Sequence, residues 1–189
     1  MIQHVNNICR SASLALHKIG KIRNCLDQKT TEMLVHAFVS SRLDNCNSLL
    51  YGLPDCHLNK LQRIQNSAAR LVTRTTPLVH ITPILRNLHW LPIKERINFK
   101  ILLITYKCIH RLAPSYLHEL IQEYTPARSL RSSSKSLLSP PSVCTKSYGN
   151  RSFQSSSAFL WNSLPSHVKE AQSLSQFKTL LKSHLFSLL

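Results

Sequence analysis

The chain has 189 residues, about the length of one ordinary domain or two small ones, and 43% of them are hydrophobic, which excludes wholesale disorder. Charge is the strongest feature of the composition, because 24 Lys and Arg face only 8 Asp and Glu, a net charge of +16. Such an excess indicates a polyanionic partner, nucleic acid before a membrane surface. No apolar run approaches the roughly 18 residues that span a bilayer, and because polar residues interrupt the first ten positions we expect no signal peptide. We therefore expect an intracellular protein without a membrane partner, in the nucleus or the cytoplasm.

The first part of the chain, which has no proline before Pro54, predicts two helices. Apolar side chains recur every three or four positions from Ile2 to Ile22, which is typical of an amphipathic helix. A second helix follows, with Asp27 or Thr30 as its N-cap. Its predicted core face consists of Leu34, Ala37, Phe38 and Ser41.

A third helix is predicted from about Cys56 to Thr73, with Asp55 as its N-cap. At roughly 100° per residue, its apolar residues fall within about 100° of arc and its basic residues within about 80° beside them. The apolar stripe consists of Leu61, Ile64, Ala68, Leu71 and Val72. The basic stripe consists of Lys60, Arg63, Arg70 and Arg74. One face of this helix suits a core, and its border suits an anion.

Prolines mark the start of two further helices. Thr82-Pro83 is typical of an N-cap followed by the first helical residue, and predicts a short helix to about Leu88. Pro92 opens a longer helix to about Leu112, which is apolar except for a sector of about 60°. The basic residues of that sector are Arg96, Lys100, Lys107 and Arg111. We expect this helix to lie centrally, with Ile97, Ile101, Ile104 and Cys108 buried.

The composition changes after this helix, since half of residues 129–142 are serine. Short helices are predicted at about 115–123, 155–162 and 175–188. The sequence therefore predicts a mostly α protein, with a helical bundle-like part (1–124), a Ser- and Pro-rich basic linker (125–147) and a small helical tail (148–189).

The basic stripes are the clearest indication of function. Pairs such as Arg70/Arg74 and Lys107/Arg111 repel each other at i,i+4 by a few tenths of a kcal/mol, and no Asp or Glu lies three or four residues away to neutralise them. A phosphate backbone would do so; the alternatives are a solvated helix surface or carboxylates from elsewhere in the chain. We expect sequence-independent binding of RNA, DNA or an RNA–DNA hybrid, with the two stripes bordering one groove. The predicted nucleic-acid-binding residues are Lys60, Arg63, Arg70, Arg74, Arg96, Lys100, Lys107, Arg111, Arg128 and Arg131.

Other chemistries find less support. Trp90 and Trp161 are flanked by Leu and followed by Pro, which favours packing in a core over stacking on bases. The 10 His and 6 Cys lack the paired spacing of a zinc site, so we expect free thiols and no metal. Nucleotidyl transfer needs clustered carboxylates, but the three Asp are never adjacent, and no Gly-rich phosphate loop is present. We expect neither a cofactor nor enzymatic activity.

A series of short motifs follows along the chain. It begins with Leu43-Asp44, Cys46 to Leu50, Gly52 to Pro54 and Leu61 to Arg70. It continues with His80 to Pro83, Leu88 to Ile93, Arg96 to Lys100, Leu112 to Leu117, Arg128 to Ser132, Tyr148 to Phe153, Trp161 to Pro165 and Phe177 to Phe186. In this order the motifs resemble the C-terminal thumb and post-thumb region of LINE-type, jockey-like non-LTR retrotransposon reverse transcriptases, over essentially the whole chain.

The resemblance implies a fragment that binds template RNA or primer duplex and does not extend it, because the fingers, the palm with its paired Asp residues, and the endonuclease are missing. The chain departs from the pattern at Asn45, where an aromatic residue is usual, at Arg111, where Gly is usual, and at Asn150, where Asp is usual. The alternative interpretation is a helical protein-interaction module, or a decayed retroelement remnant with no selected activity. The oligomeric state is left open.

Overall fold

The structure, a computed structural model, describes residues 1–125, 136–145 and 148–189, which contain helices, turns and one isolated β-bridge but no strand. The helices are α1 (Ile2–Ile22), α2 (Gln28–Val35), α3 (Ser41–Leu43), α4 (Asp55–Thr73), α5 (Ile81–Asn87), α6 (Ile93–Ile109), α7 (Ser115–His118), α8 (Phe153–Ser163), α9 (Ser166–Lys169) and α10 (Leu174–Ser187). Short 3-10 turns lie at Arg23–Cys25, Asn47–Leu50 and Gly149–Arg151. The mostly α class is confirmed.

The chain divides into two compact units, Met1–Arg96 with Leu189 and Ile97–Leu188. This boundary falls inside α6, whereas the sequence predicted one helical part as far as residue 124. The difference arises because the second half of α6 packs with the C-terminal region. Tyr106 stacks on Phe177, with ring centroids 4.2 Å apart, and donates its hydroxyl to the Ala171 carbonyl at 2.9 Å.

The first unit is built around α1, which packs against α2 and α4. Val5 and Ala12 of α1 are fully buried, as are Leu61 and Val72 of α4. The period of three to four residues therefore identified both helices. In α4 it placed Leu61, Ala68 and Val72 in the core correctly, but Ile64 and Leu71 are only half-buried, and Gln65 and Ala69 are buried instead. Asp27 is the N-cap of α2 and accepts a hydrogen bond from the Thr30 N–H at 3.2 Å, which lowers the pKa of the Asp27 carboxyl.

Two predicted helix starts are displaced by one or two residues. Pro54 is the N-cap of α4, so Asp55 is already helical, and His80 is the N-cap of α5, so Pro83 occupies its third position. Proline fits there as well as at the first position, because none of the first four N–H groups has an acceptor within the helix. The sequence pattern identified the helices but not their first residues.

The predicted core face of the second helix is wrong. Leu34 is only half-buried and Phe38 is exposed, whereas the buried side chains are Thr31, Val35, Val39 and Leu43. These recur every fourth residue, a spacing that would carry them about 120° around a regular α-helix. A π turn at His36–Ser40 lies between α2 and α3. Its i,i+5 hydrogen bonds place more residues in one turn, which offsets this rotation and keeps the four side chains on one side. Leu34 and Phe38 are thereby turned away from the core.

The described part of the predicted linker, residues 136–145, is bound to α8. Asn162 forms two hydrogen bonds with the Leu138 backbone, at 2.9 Å to its N–H and 2.8 Å to its carbonyl. The buried Trp161 donates its indole N–H to the Ser136 carbonyl at 2.9 Å. Side chains of α8 thus satisfy backbone groups of a segment without regular structure. The rest of the predicted linker, residues 126–135 and 146–147, lies outside the described residues.

The burial predicted for α6 holds at three of its four positions. Ile97, Ile101 and Cys108 are buried, and Ile104 is intermediate. Burial also raises the pKa of the Cys108 thiol, as expected for a thiol in apolar surroundings.

We predict that Ile101→Ala destabilises the protein by about 2 to 5 kcal/mol, because it removes buried methylene groups and leaves a cavity. Ile104→Ala makes the same chemical change at a partly exposed site on the same helix, and is expected to cost roughly half as much or less. Urea unfolding followed by circular dichroism measures both. Equal losses for the two variants would contradict the burial pattern of α6.

Candidate nucleic-acid interface

The first half of the basic stripe on α4 is exposed. The Lys60 ammonium donates to Asn6 Oδ1 at 3.3 Å, and within the described residues Arg63 makes no ion pair. Lys60 also lies near Cys9, where its charge opposes the effect of burial; burial is the larger effect and raises the pKa of the Cys9 thiol. Lys60 and Arg63, three residues apart, share one face of the helix.

The second half of the α4 stripe is tied to the backbone. Arg70 is half-buried, and its Nη2 donates to the Val79 carbonyl at 3.3 Å. Arg74 is exposed, and its Nη2 donates to the Arg23 carbonyl at 3.1 Å. Their guanidinium groups support the loop after α4 and the turn after α1, respectively.

Arg96, predicted as a nucleic-acid contact, is neutralised within the fold. It forms an ion pair with Asp44, and its Nε donates to Asp44 Oδ1 at 2.8 Å. Only 18% of the Arg96 side chain is exposed, and Asp44 also accepts a hydrogen bond from Asn47 at 3.4 Å. The neutralising carboxylate lies 52 residues earlier in the chain. The sequence neighbours of Arg96 on its own helix therefore give no indication of this pair.

The remaining basic residues of the α6 sector are Lys100 and Lys107 on the helix and Arg111 directly after it. Lys100 and Lys107 are seven positions apart, so they lie within about 20° of each other around the helix axis. Lys100 and Arg111 are exposed and Lys107 is half-buried. In the part of the chain that the structure describes, none of the three is paired with a carboxylate.

The two stripes belong to different units, since α4 lies in the first and residues 97–109 of α6 in the second. Their arrangement around a single groove stays a prediction. Arg128 and Arg131 lie outside the described residues.

Both stripes end on an arginine in the left-handed backbone conformation. Arg74 and Arg111 each have φ of 54° and follow the last residues of α4 and α6. At α6 the Leu112 N–H bonds to the Lys107 carbonyl at 2.7 Å, and at α4 the Thr75 N–H bonds to the Arg70 carbonyl at 3.3 Å. This is the Schellman arrangement, in which glycine is usual. The chain has only 3 Gly, and here arginines take that position.

Sequence reasoning missed the polar residues that hold α4 in place. Gln65 is buried and donates to the Leu91 carbonyl at 2.8 Å, while Gln62 Oε1 accepts from the Ile93 N–H at 2.9 Å. The two glutamines also bond to each other at 3.0 Å. Together they fix the start of α6 against α4. The available signal was the position of Gln65, which lies four residues after Leu61 on its side of the helix.

Both tryptophans pack in the interior, as predicted. Trp90 is 5% exposed, donates its N–H to Glu32 Oε1 at 3.3 Å and lies 5.2 Å from the His36 ring. Trp161 is 1% exposed. Neither offers a face on which a base would stack.

No group of three His, Cys, Asp or Glu side chains comes together among the described residues, and all six cysteines are free. Within the same residues, no helix combines the length and apolarity needed to cross a membrane. No protein-family model, curated protein or solved structure matches the chain.

We predict that Arg111→Gly stabilises the protein by about 0.5 to 1 kcal/mol, because glycine adopts positive φ without the steric cost that a Cβ imposes. Arg111→Ala removes the same charge but keeps the Cβ, and is therefore the control. Thermal unfolding compares them, and the glycine variant should melt at the higher temperature. Identical melting temperatures would show that this turn carries no such strain.

Proposed function

We propose that the chain is a non-catalytic nucleic-acid-binding fragment of a retrotransposon reverse transcriptase, which binds template RNA or primer duplex through basic helix faces. One observation carries this proposal: five basic side chains, four on α4 and α6 and one directly after α6, have no carboxylate partner among the described residues. They are Lys60, Arg63, Lys100, Lys107 and Arg111. The motif series is consistent with the thumb and post-thumb origin.

Phosphate contacts explain how these side chains act. Each ammonium or guanidinium that meets a phosphate releases a condensed counterion, so affinity falls as salt rises. Because both tryptophans are buried and cannot stack on bases, the attraction between basic side chains and phosphates is the main source of affinity. Contacts to phosphates do not distinguish one base sequence from another. The expected binding is therefore sequence-independent, with RNA, duplex DNA and RNA–DNA hybrid all as ligands.

We predict that Arg63→Glu/Lys100→Glu weakens binding to all three nucleic acids by at least about tenfold, and makes the slope of log K against log salt shallower by roughly 0.7 to 0.9 per lost phosphate contact. Fluorescence anisotropy with labelled single-stranded RNA, duplex DNA and hybrid at several salt concentrations measures this. These two residues are preferred to Arg70 and Arg96, whose guanidinium groups also hold the fold together.

The matched control is Lys29→Glu/Lys178→Glu, which changes the net charge equally and alters one exposed residue in each unit, outside the stripes. It should weaken binding less and leave the salt slope nearly unchanged. An equal loss in both double variants would mean that net charge alone attracts the nucleic acid. Failure of the parent to bind at low salt would favour the interaction module or the inactive remnant.

We also predict that the purified chain does not extend a primer on an RNA or DNA template with nucleotides and Mg²⁺ or Mn²⁺. Nucleotidyl transfer uses clustered carboxylates to hold two metal ions, and Asp27, Asp44 and Asp55 are far apart in the sequence. A gel assay of primer length measures this, with a complete reverse transcriptase as the positive control. Extension that Asp44→Asn abolishes would refute the non-catalytic reading.

A further inference from the structure

The first unit carries an apolar groove between α1 and the α2 to α3 region that the nucleic-acid proposal does not use. It has a volume of about 460 Å³, and its walls are mainly aliphatic and aromatic. The lining residues are Leu14, Ala15, Ile19 and Ile22 from α1, Leu34 and Phe38 from the α2 side, and Ser11, Lys18 and Arg42 at the edges. A volume of this size is typical of a binding site.

The groove is open to solvent. Leu14 is 57% exposed, and Ile22 and Phe38 are each 49% exposed. Large apolar side chains that are exposed together in one concave surface indicate an interaction site, whereas single exposed apolar residues do not. From Leu14 to Ile22 the wall extends about 12 Å along α1, close to two helical turns. A helix that presents apolar side chains at i, i+4 and i+7 covers that length.

The edges of the groove are basic. Arg42 donates through Nη1 to the Ser11 carbonyl of α1 at 2.6 Å, which holds its guanidinium across the groove edge. Its other nitrogens have no partner among the described residues, and Lys18 forms no ion pair there. No acidic side chain lines the groove. Two unneutralised cations beside apolar walls are complementary to carboxylates that flank an apolar stripe.

A second copy of the chain does not supply such a surface. Two copies repel each other through a net charge of +16 each, and no described helix carries two acidic side chains. We therefore propose that the groove binds an acidic amphipathic helix of another protein, with its apolar stripe between α1 and α2 and its carboxylates on Lys18 and Arg42. This proposal is independent of nucleic-acid binding.

The probe is a fluorescein-labelled, hydrocarbon-stapled peptide of about 16 residues, long enough with the staple to stay helical. It carries Leu at i, i+4 and i+7, Glu on both sides of that stripe, and Ala and Gln elsewhere. Anisotropy should show saturable binding to the parent protein. Binding should be at least about tenfold weaker when every Glu is replaced by Gln, and weaker again when the sequence is scrambled at constant composition.

Variants locate the binding site. Leu14→Gln/Phe38→Gln should weaken peptide binding at least about tenfold, because both half-exposed walls lose their apolar contact. Leu78→Gln is the control, since Leu78 is 96% exposed and lies outside the groove. Lys18→Gln should weaken binding severalfold, and Lys29→Gln, outside the groove, should not. Arg63→Glu/Lys100→Glu should change peptide binding no more than the charge-matched Lys29→Glu/Lys178→Glu does, which separates this proposal from the nucleic-acid one.

Cross-linking gives a readout that does not depend on variants folding correctly. A photoreactive Leu at the centre of the peptide should label the parent protein within residues 11–22 or 34–42. Labelling elsewhere, equal binding of the scrambled peptide, or no saturable binding up to roughly 1 mM would each overturn the proposal. So would sedimentation data showing that the protein dimerises and that the peptide does not compete with the dimer.

Discussion

The buried guanidinium of Arg23 holds the turn after α1 to the C-terminal end of α4, and the arrangement of the first unit depends on it. Arg23 is 7% exposed and donates to the carbonyls of Leu71 at 2.8 Å, Val72 at 2.9 Å and Leu26 at 2.7 Å. The carbonyls of the last helical turn have no N–H donor within the helix, and the helix dipole makes that end negative. A buried cation without a carboxylate is thereby compensated by backbone oxygens, and α1 and α4 are fixed side by side.

This use of arginine divides the basic residues into two kinds. Arg23, Arg70 and Arg74 donate to backbone carbonyls, and Arg96 pairs with Asp44. The side chains of the other kind form neither a hydrogen bond nor an ion pair with the described residues, and include Arg63, Lys100 and Lys107. The net charge of +16 therefore overstates how much positive charge is free to meet a polyanion. A basic protein whose arginines partly support its own turns still keeps a strong field, because hydrogen bonds to carbonyls do not cancel charge.

The π turn at His36–Ser40 decides which side chains face the core and which face the groove beside α1. It keeps Val35 and Val39 in the core while Leu34 and Phe38 face the groove beside α1. The groove is thus apolar with cationic edges, whereas the exposed part of the α4 stripe is polar and cationic. The two proposals thus rest on separate surfaces of one small unit, phosphate contacts on the stripe and apolar helical contacts in the groove.

The sequence by itself determined the helical class, most of the core face of α1 and part of that of α4, the N-cap at Asp27, the buried tryptophans and three of the four predicted buried positions of α6. Each of these follows from local periodicity or from the hydrogen-bonding needs of one helix end. The tertiary structure decided the rest. Asp44 meets Arg96, Arg23 meets the end of α4, and the boundary between the units falls within α6, because these depend on contacts between residues far apart in the chain. Periodicity also misplaced the core face of α2, since a π turn changes the helical phase that a constant period assumes.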